Sequence, residues 1–188
     1  MLEFKGLDRT VTQFREWALA DLKSPTTKGM IAEYLVRCAI GLDSAPALDW
    51  DHIDIRTESG SIEVKSASAL SSGPTPQPAK PKFGIAIKNS WDAAANNWAP
   101  HDPTRRHADI YVFCLHNELD PQQAHPLDTA QWQFWVVTSA MINKECGHNA
   151  KTVSVGPLKK MTQAVSFQSL KNSVMSALKD AASLKTEI

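Results

Sequence analysis

The chain has 188 residues, 43% of them hydrophobic and 21% charged, the composition of one globular domain long enough to bury a core rather than of a disordered or fibrous chain. Twenty Lys and Arg balance 20 Asp and Glu, which excludes the broad positive excess typical of phosphate binders and leaves only a local basic patch for nucleic acid. No apolar run approaches the ~18 residues that span a bilayer, and the opening MLEFKGLDRT lacks the basic-then-apolar order of a signal peptide, so a cytoplasmic protein without a membrane partner is expected.

In chain order, apolar residues Val11, Phe14, Trp17, Ala18 and Leu22 recur at helical spacing over residues 8–22, with Thr10 and Gln13 placed to form a capping box. Ser24-Pro25 closes that segment. A second helix is predicted over about 26–40, with Met30, Ile31, Tyr34, Leu35 and Cys38 as its apolar stripe and Gly41 at its stop. A short run ending at Leu48-Asp49-Trp50 reads as an edge strand, followed by clearer strands at 53–57 and 62–66. The Ser-, Pro- and Gly-rich interval to Lys82 is a loop, and Phe83, Ile85 and Ile87 alternate as a short strand. The run over 109–115, continuously apolar after Asp109, predicts a central strand covered on both faces; 131–138 is a further strand and roughly 167–184 a long final helix. Helix, strands, linker, strands and helices make a single layered α/β domain over 1–188, a mixed central sheet flanked by helices. Cys38, Cys114 and Cys146, odd in number and without CxxC spacing, suggest neither a disulfide framework nor zinc.

The informative stretch is DHIDIRTESGSIEVKSAS, residues 51–68. With Ser59-Gly60 as a two-residue turn, Arg56 faces Glu63, Ile55 faces Val64 and Asp54 faces Lys65. Period-two alternation then sends Ile53, Ile55, Ile62 and Val64 to one face, and Asp54, Arg56, Glu63 and Lys65 to the other. Two readings of the charged face stand. It is a solvated surface with cross-strand ion pairs worth a few tenths of a kcal/mol, or it gathers two carboxylates and a lysine around a cation. Glu33, away from the centre of the helical stripe, is placed to pair with Arg37 at i+4.

Asp54 followed by Glu63-Val64-Lys65 resembles the PD-(D/E)xK motif of the restriction-endonuclease-like nuclease superfamily, with Ile53 where that motif has Pro. Lys28-Gly29-Met30-Ile31-Ala32-Glu33 resembles the Gly-x-x-x-Glu on the first core helix of several members. The resemblance covers about residues 26–138, with an N-terminal helix and a C-terminal helical extension outside it. It implies a restriction-endonuclease-like core and a metal-dependent DNA endonuclease of restriction, resolvase or repair type; the alternative is the same fold with an idle site, binding DNA or protein. In such a nuclease Asp54, Glu63 and the Val64 carbonyl would ligate Mg²⁺ or Mn²⁺, Glu33 would join the site, and Lys65 would orient the attacking water. Family members often act as dimers, so a homodimer is implied. For DNA phosphates the candidate cations are Arg105 and Arg106, ahead of the central strand, with Lys80, Lys82 and Lys88; each also reads as a solubilising loop charge.

Overall fold

A computed structural model describes residues 2–44, 53–87, 91–92, 96–98 and 106–186. Its elements are α1 (Val11–Ala18), α2 (Pro25–Ile40), β1 (Ile55–Thr57), β2 (Gly60–Ser68), β3 (Lys82–Gly84), β4 (Trp91–Asp92), β5 (Asn97–Trp98), β6 (Ile110–His116), β7 (Trp132–Thr138), α3 (Ser139–Cys146), β8 (Thr152–Ser154), α4 (Val155–Met161) and α5 (Phe167–Thr186). The expected edge strand at 48–50 lies outside the described residues, as do Lys88 and Arg105.

The described elements form one mixed α/β domain around a sheet of order β1-β2-β6-β7. β1 and β2 are antiparallel, β2 and β6 parallel, and β6 and β7 antiparallel. Every residue of β6 is buried, as its unbroken apolar run requires of a strand covered twice. Ile62, Val112, Cys114, Phe134 and Val136 face α2 and α5 on one side. Tyr111, Phe113, Trp135 and Val137 face a second cluster, built with Phe83, Val153, Ile142 and Leu158 from β3, β8, α3 and α4.

Local chemistry explains the helix ends. Thr10 and Gln13 form the reciprocal capping box of α1, although that helix stops at Ala18 and buries no residue. Phe14 and Trp17 remain 48% and 77% exposed, so the amphipathic stripe is present but unpacked. In α2, Ser24 caps the first turn, Pro25 sits where an N–H has no helical partner, and Gly41 ends the helix at φ 78°. The predicted stripe of α2 holds only in part. Leu35 is buried and Ile31 packs against the same cluster, but Met30 and Tyr34 are exposed, and the helix also buries Thr27, Lys28, Ala32 and Val36, because the β2 and α5 surfaces meet the face carrying the small residue Ala32.

The hairpin register also differs from expectation. The turn is Glu58-Ser59, and the ladder pairs Ile55 with Ile62, Arg56 with Ser61 and Thr57 with Gly60. The Thr57 hydroxyl shapes it, donating to the Gly60 carbonyl at 2.8 Å and accepting the Ser59 N–H at 3.2 Å. Gly60 therefore opens β2 rather than occupying the turn. Its φ is 145°, and a Cβ there would stand 2.8 Å from Asp109 Oδ2. Asp109 locks this end of the sheet, accepting the Ser61 N–H at 2.9 Å and the Ser61 hydroxyl at 3.0 Å. The slip is two residues, so the parity of every β2 side chain is preserved.

Candidate active site

The bend at Asp54 separates two fates for neighbouring residues. Ile55 enters the cluster under α2 and α5, whereas Ile53, expected beside it, crosses to the opposite cluster. Ladder pairing stops at Ile55, and the Asp54 carboxylate continues it: Oδ2 accepts the Val64 N–H at 2.6 Å. Within a strand, the N–H and C=O of one residue point toward the same edge. The Val64 carbonyl is thereby turned toward Asp54, on the side that the resemblance requires.

The observed register, Ile55 with Ile62, does not oppose Asp54 to Lys65; the Asp54 carboxylate instead meets the Val64 N–H and feels the charge of Glu63. The expected Asp54–Lys65 and Arg56–Glu63 cross-strand pairs are replaced by a different arrangement. Lys65 and Glu63, two apart on the same face of β2, touch through Nζ and Oε1, with side chains 28% and 17% exposed. Burial, with the negative charge of Glu63 added to it, pushes the Asp54 carboxyl up to about 6, against the opposing pull of the Val64 N–H, Lys65 and Arg37. Two oxygen-donor carboxylates that resist being charged together are suited to a hard divalent cation, which would relieve that repulsion. Among the described residues no cluster of three or more His, Cys, Asp or Glu side chains could hold a metal ion, so such a site rests on two carboxylates and a backbone carbonyl.

Glu33 and Arg37 meet as the i+4 spacing predicts, Arg37 Nε lying 2.8 Å from Glu33 Oε1. The pair is no surface ornament: the side chains are 25% and 13% exposed, and Arg37 Nη2 donates to the Asp54 carbonyl at 2.5 Å. Arg37 thus ties Glu33 to the bend that presents Asp54. Its partnership with Glu33 was legible from spacing, but its hold on Asp54 was not. Tyr111, paired in register with Glu63, is the other neighbour that no motif flags. Burial and the Glu63 charge push its phenol up and keep it neutral, a wall of the site rather than a base.

The basic candidates divide. Lys80 and Lys82 are exposed. Arg106 is not a surface cation: it is 4% exposed, its guanidinium donates to the Ile85 carbonyl and, at 3.4 Å, to the Gly147 carbonyl, and its Nε is unpartnered. Its proximity to a strand entrance reflects a structural clamp between two loops, which removes it from any interface with DNA. No helix among the described residues is long and apolar enough to cross a membrane.

The chain matches no family model, no curated protein and no solved structure. The class defined here is therefore a mixed α/β domain with a carboxylate pair and a lysine on its first hairpin.

Proposed function

We propose that the protein is a metal-dependent nuclease of restriction-endonuclease-like fold that hydrolyses phosphodiester bonds in DNA. The observation that carries this reading is the Asp54 carboxylate held on the Val64 N–H of β2, beside Glu63, whose charge acts on it and whose carboxylate Lys65 touches. The order of α2, the β1–β2 hairpin and then β6 and β7 agrees with it. Asp54, Glu63 and the Val64 carbonyl would hold Mg²⁺ or Mn²⁺, which when bound supplies Lewis-acid assistance and a more acidic water. Lys65 orients the attacking water and offsets the charge gathering on the phosphate. Arg37 keeps the Asp54 backbone in place and occupies Glu33, so Glu33 acts as a positioning residue.

A second reading has its own support. The Lys65 ammonium lies on the Glu63 carboxylate and neutralises it. Between β2 and β6 the described residues include no helix, whereas the family has one after its ExK strand. An idle domain of the same fold, binding DNA or protein, would show both features.

Cutting assays separate the two. Plasmid and oligonucleotide substrates are incubated with Mg²⁺, with Mn²⁺ and with EDTA, using the parent chain, Asp54→Ala and Lys65→Ala. Metal-dependent cutting that each variant lowers by about 100-fold or more is the expected result. A folded parent that cuts no substrate, or variants as active as the parent, would leave the idle-domain reading in its place.

A further inference from the structure

Beyond the end of β2 remote from the hairpin turn lies a second polar site. Ser68 and His116, the last residues of the parallel pair β2 and β6, line a cleft of about 220 Å³. In open α/β sheets, ligands collect outside the carboxyl ends of parallel strands. The first turn of α2 closes one wall of this cleft, and the loop after β2 closes another.

Lys28 is the anomaly that gives the cleft its chemistry. It is 6% exposed, lines the cleft, and has no ion pair or hydrogen bond to its ammonium among the described residues. Its Nζ is not among the buried polar atoms that lack a partner, so the stem is buried while the unpaired ammonium opens on the cleft, where an anion could reach it. Burial pulls its pKa below the ordinary lysine value, with Asp21 opposing and Lys23 reinforcing that fall. Asp21 is the one acidic residue among the described lining residues, and a second cleft of about 260 Å³ shares Lys28 and adds Lys80 and Lys82.

Hydroxyls complete the donor set. Ser71 Oγ accepts the Gln77 N–H at 2.9 Å and Ser68 Oγ the Leu70 N–H at 3.4 Å, so each retains its own O–H to donate. Ser72 lines the same wall. The α2 backbone is not the main donor: Pro25 has no N–H and Ser24 Oγ takes that of Thr27 at 3.1 Å, leaving the helix end to contribute its positive potential. His116 is a wall rather than a donor. Its Nε2 meets Gln131 Oε1 at 3.0 Å, and burial holds its pKa below the usual imidazole value.

We propose that this cleft binds a phosphate group, with the Lys28 ammonium as its counter-charge and the serine hydroxyls of β2 and the β2–β3 loop as its further donors. Lysine over one face and hydroxyls over another suit a tetrahedral oxyanion, which accepts from several directions at once. The site is separate from Asp54, Glu63 and Lys65 and holds whether or not the hairpin is catalytic. In a nuclease it would grip a phosphate away from the cut bond; otherwise it takes free phosphate or a small phosphate ester.

The test is an amide-resolved NMR titration of the full chain with inorganic phosphate in EDTA, at constant ionic strength, with chloride as the control. Millimolar phosphate is expected to give saturable shifts at Lys28, Ser71, Ser72 and His116 that chloride does not. Lys28→Met should weaken binding about tenfold or more, while Lys28→Arg keeps most of it. Shifts absent from the cleft, or equal affinity in parent and Lys28→Met, would overturn the proposal. If Lys28→Met does not fold, the Ser71→Ala, Ser72→Ala double variant makes the same comparison, with severalfold weaker binding expected and unchanged binding counting against the site. A nucleoside monophosphate and a single strand with and without a 5′-phosphate then identify the source: preference for the strand regardless of its end points to nucleic-acid backbone, and preference for the small molecule to a free ester. Asp54→Asn should bind phosphate like the parent, so loss of the nuclease reading and loss of this one are distinguishable.

Discussion

Asp54 Oδ2 receives the Val64 N–H at 2.6 Å while the charge of Glu63 bears on the same carboxylate. The hydrogen bond favours the charged form, but burial and Glu63 outweigh it and raise the carboxyl to about 6. A carboxyl whose folded pKa exceeds its unfolded one binds more protons when folded, so its charging opposes folding as pH rises from about 4 to about 6. Asp54→Asn keeps an acceptor for Val64 and removes the buried charge. In EDTA at pH 7 this variant should melt several degrees above the parent, with the gap closing as pH falls toward 4. A variant no more stable than the parent at pH 7 would show that Asp54 carries no such penalty.

The same penalty is what a cation would remove. Mg²⁺ or Mn²⁺ should raise the melting temperature of the parent in proportion to the logarithm of metal concentration above its dissociation constant. Asp54→Asn should respond weakly or not at all, and lowering the pH from 7 to 5 should diminish the response of the parent, because protons compete for the same oxygens. Equal metal responses in parent and variant would remove Asp54 from the ligand set.

Arg37 carries two obligations that no single-residue reading separates. Replacing it with Met leaves Glu33 half-buried without its partner and frees the Asp54 carbonyl, at a cost of about 1–3 kcal/mol. Glu33→Gln should cost less, and the double variant should recover about 1 kcal/mol of coupling in a mutant cycle. If Glu33 serves only through Arg37, Glu33→Gln leaves metal affinity unchanged. A metal affinity lowered as severely as in Asp54→Asn would make Glu33 a ligand.

What the sequence disclosed depends on whether the deciding contact is local. The β6 strand is readable because seven consecutive buried residues need no partner to identify them, and the α1 capping box because Thr10 and Gln13 satisfy each other within one turn. The α2 stripe misleads because hydropathy ranks Met30 and Tyr34 above Lys28 and Thr27, while the packed face is chosen by the surfaces of β2 and α5. Ser59-Gly60 invites a turn assignment, yet Gly60 is required by Asp109, which approaches from 48 positions beyond Ser61. Because that error equals two residues, Glu63 and Lys65 stay on one face and the candidate site survives it. α3, β8 and α4, of eight, three and seven residues, are too short for a periodicity window to bound.

Gly60 and Asp109 give a test of the register itself. Alanine at position 60 brings a Cβ within 2.8 Å of Asp109 Oδ2 at a φ of 145°, and should destabilise by about 2 kcal/mol or more. Burial raises the Asp109 carboxyl, but Lys185 and the two Ser61 bonds outweigh it and hold it below the usual carboxylate range. Its contribution is therefore present above the unfolded carboxylate pKa and lost as pH falls through the lower folded value, the reverse of Asp54. Asp109→Asn should flatten the acid limb of the stability profile without changing metal response. An unchanged acid limb would break the link between Asp109 and the hairpin.

Arg106 is buried between two loops, whereas Lys82, the other basic candidate compared with it, is exposed. Substitution by Met leaves the Ile85 and Gly147 carbonyls without their donor in a region where Arg106 is 4% exposed, and should cost about 2–4 kcal/mol. Lys82, exposed on β3, should cost almost nothing when changed to Ala. DNA affinity is expected to order the two oppositely. Lys82→Ala weakens binding and lowers the salt slope by about one unit, whereas folded Arg106→Met binds with the slope of the parent. A reduced slope in Arg106→Met would mean that its guanidinium reaches phosphate, against its burial between two loops.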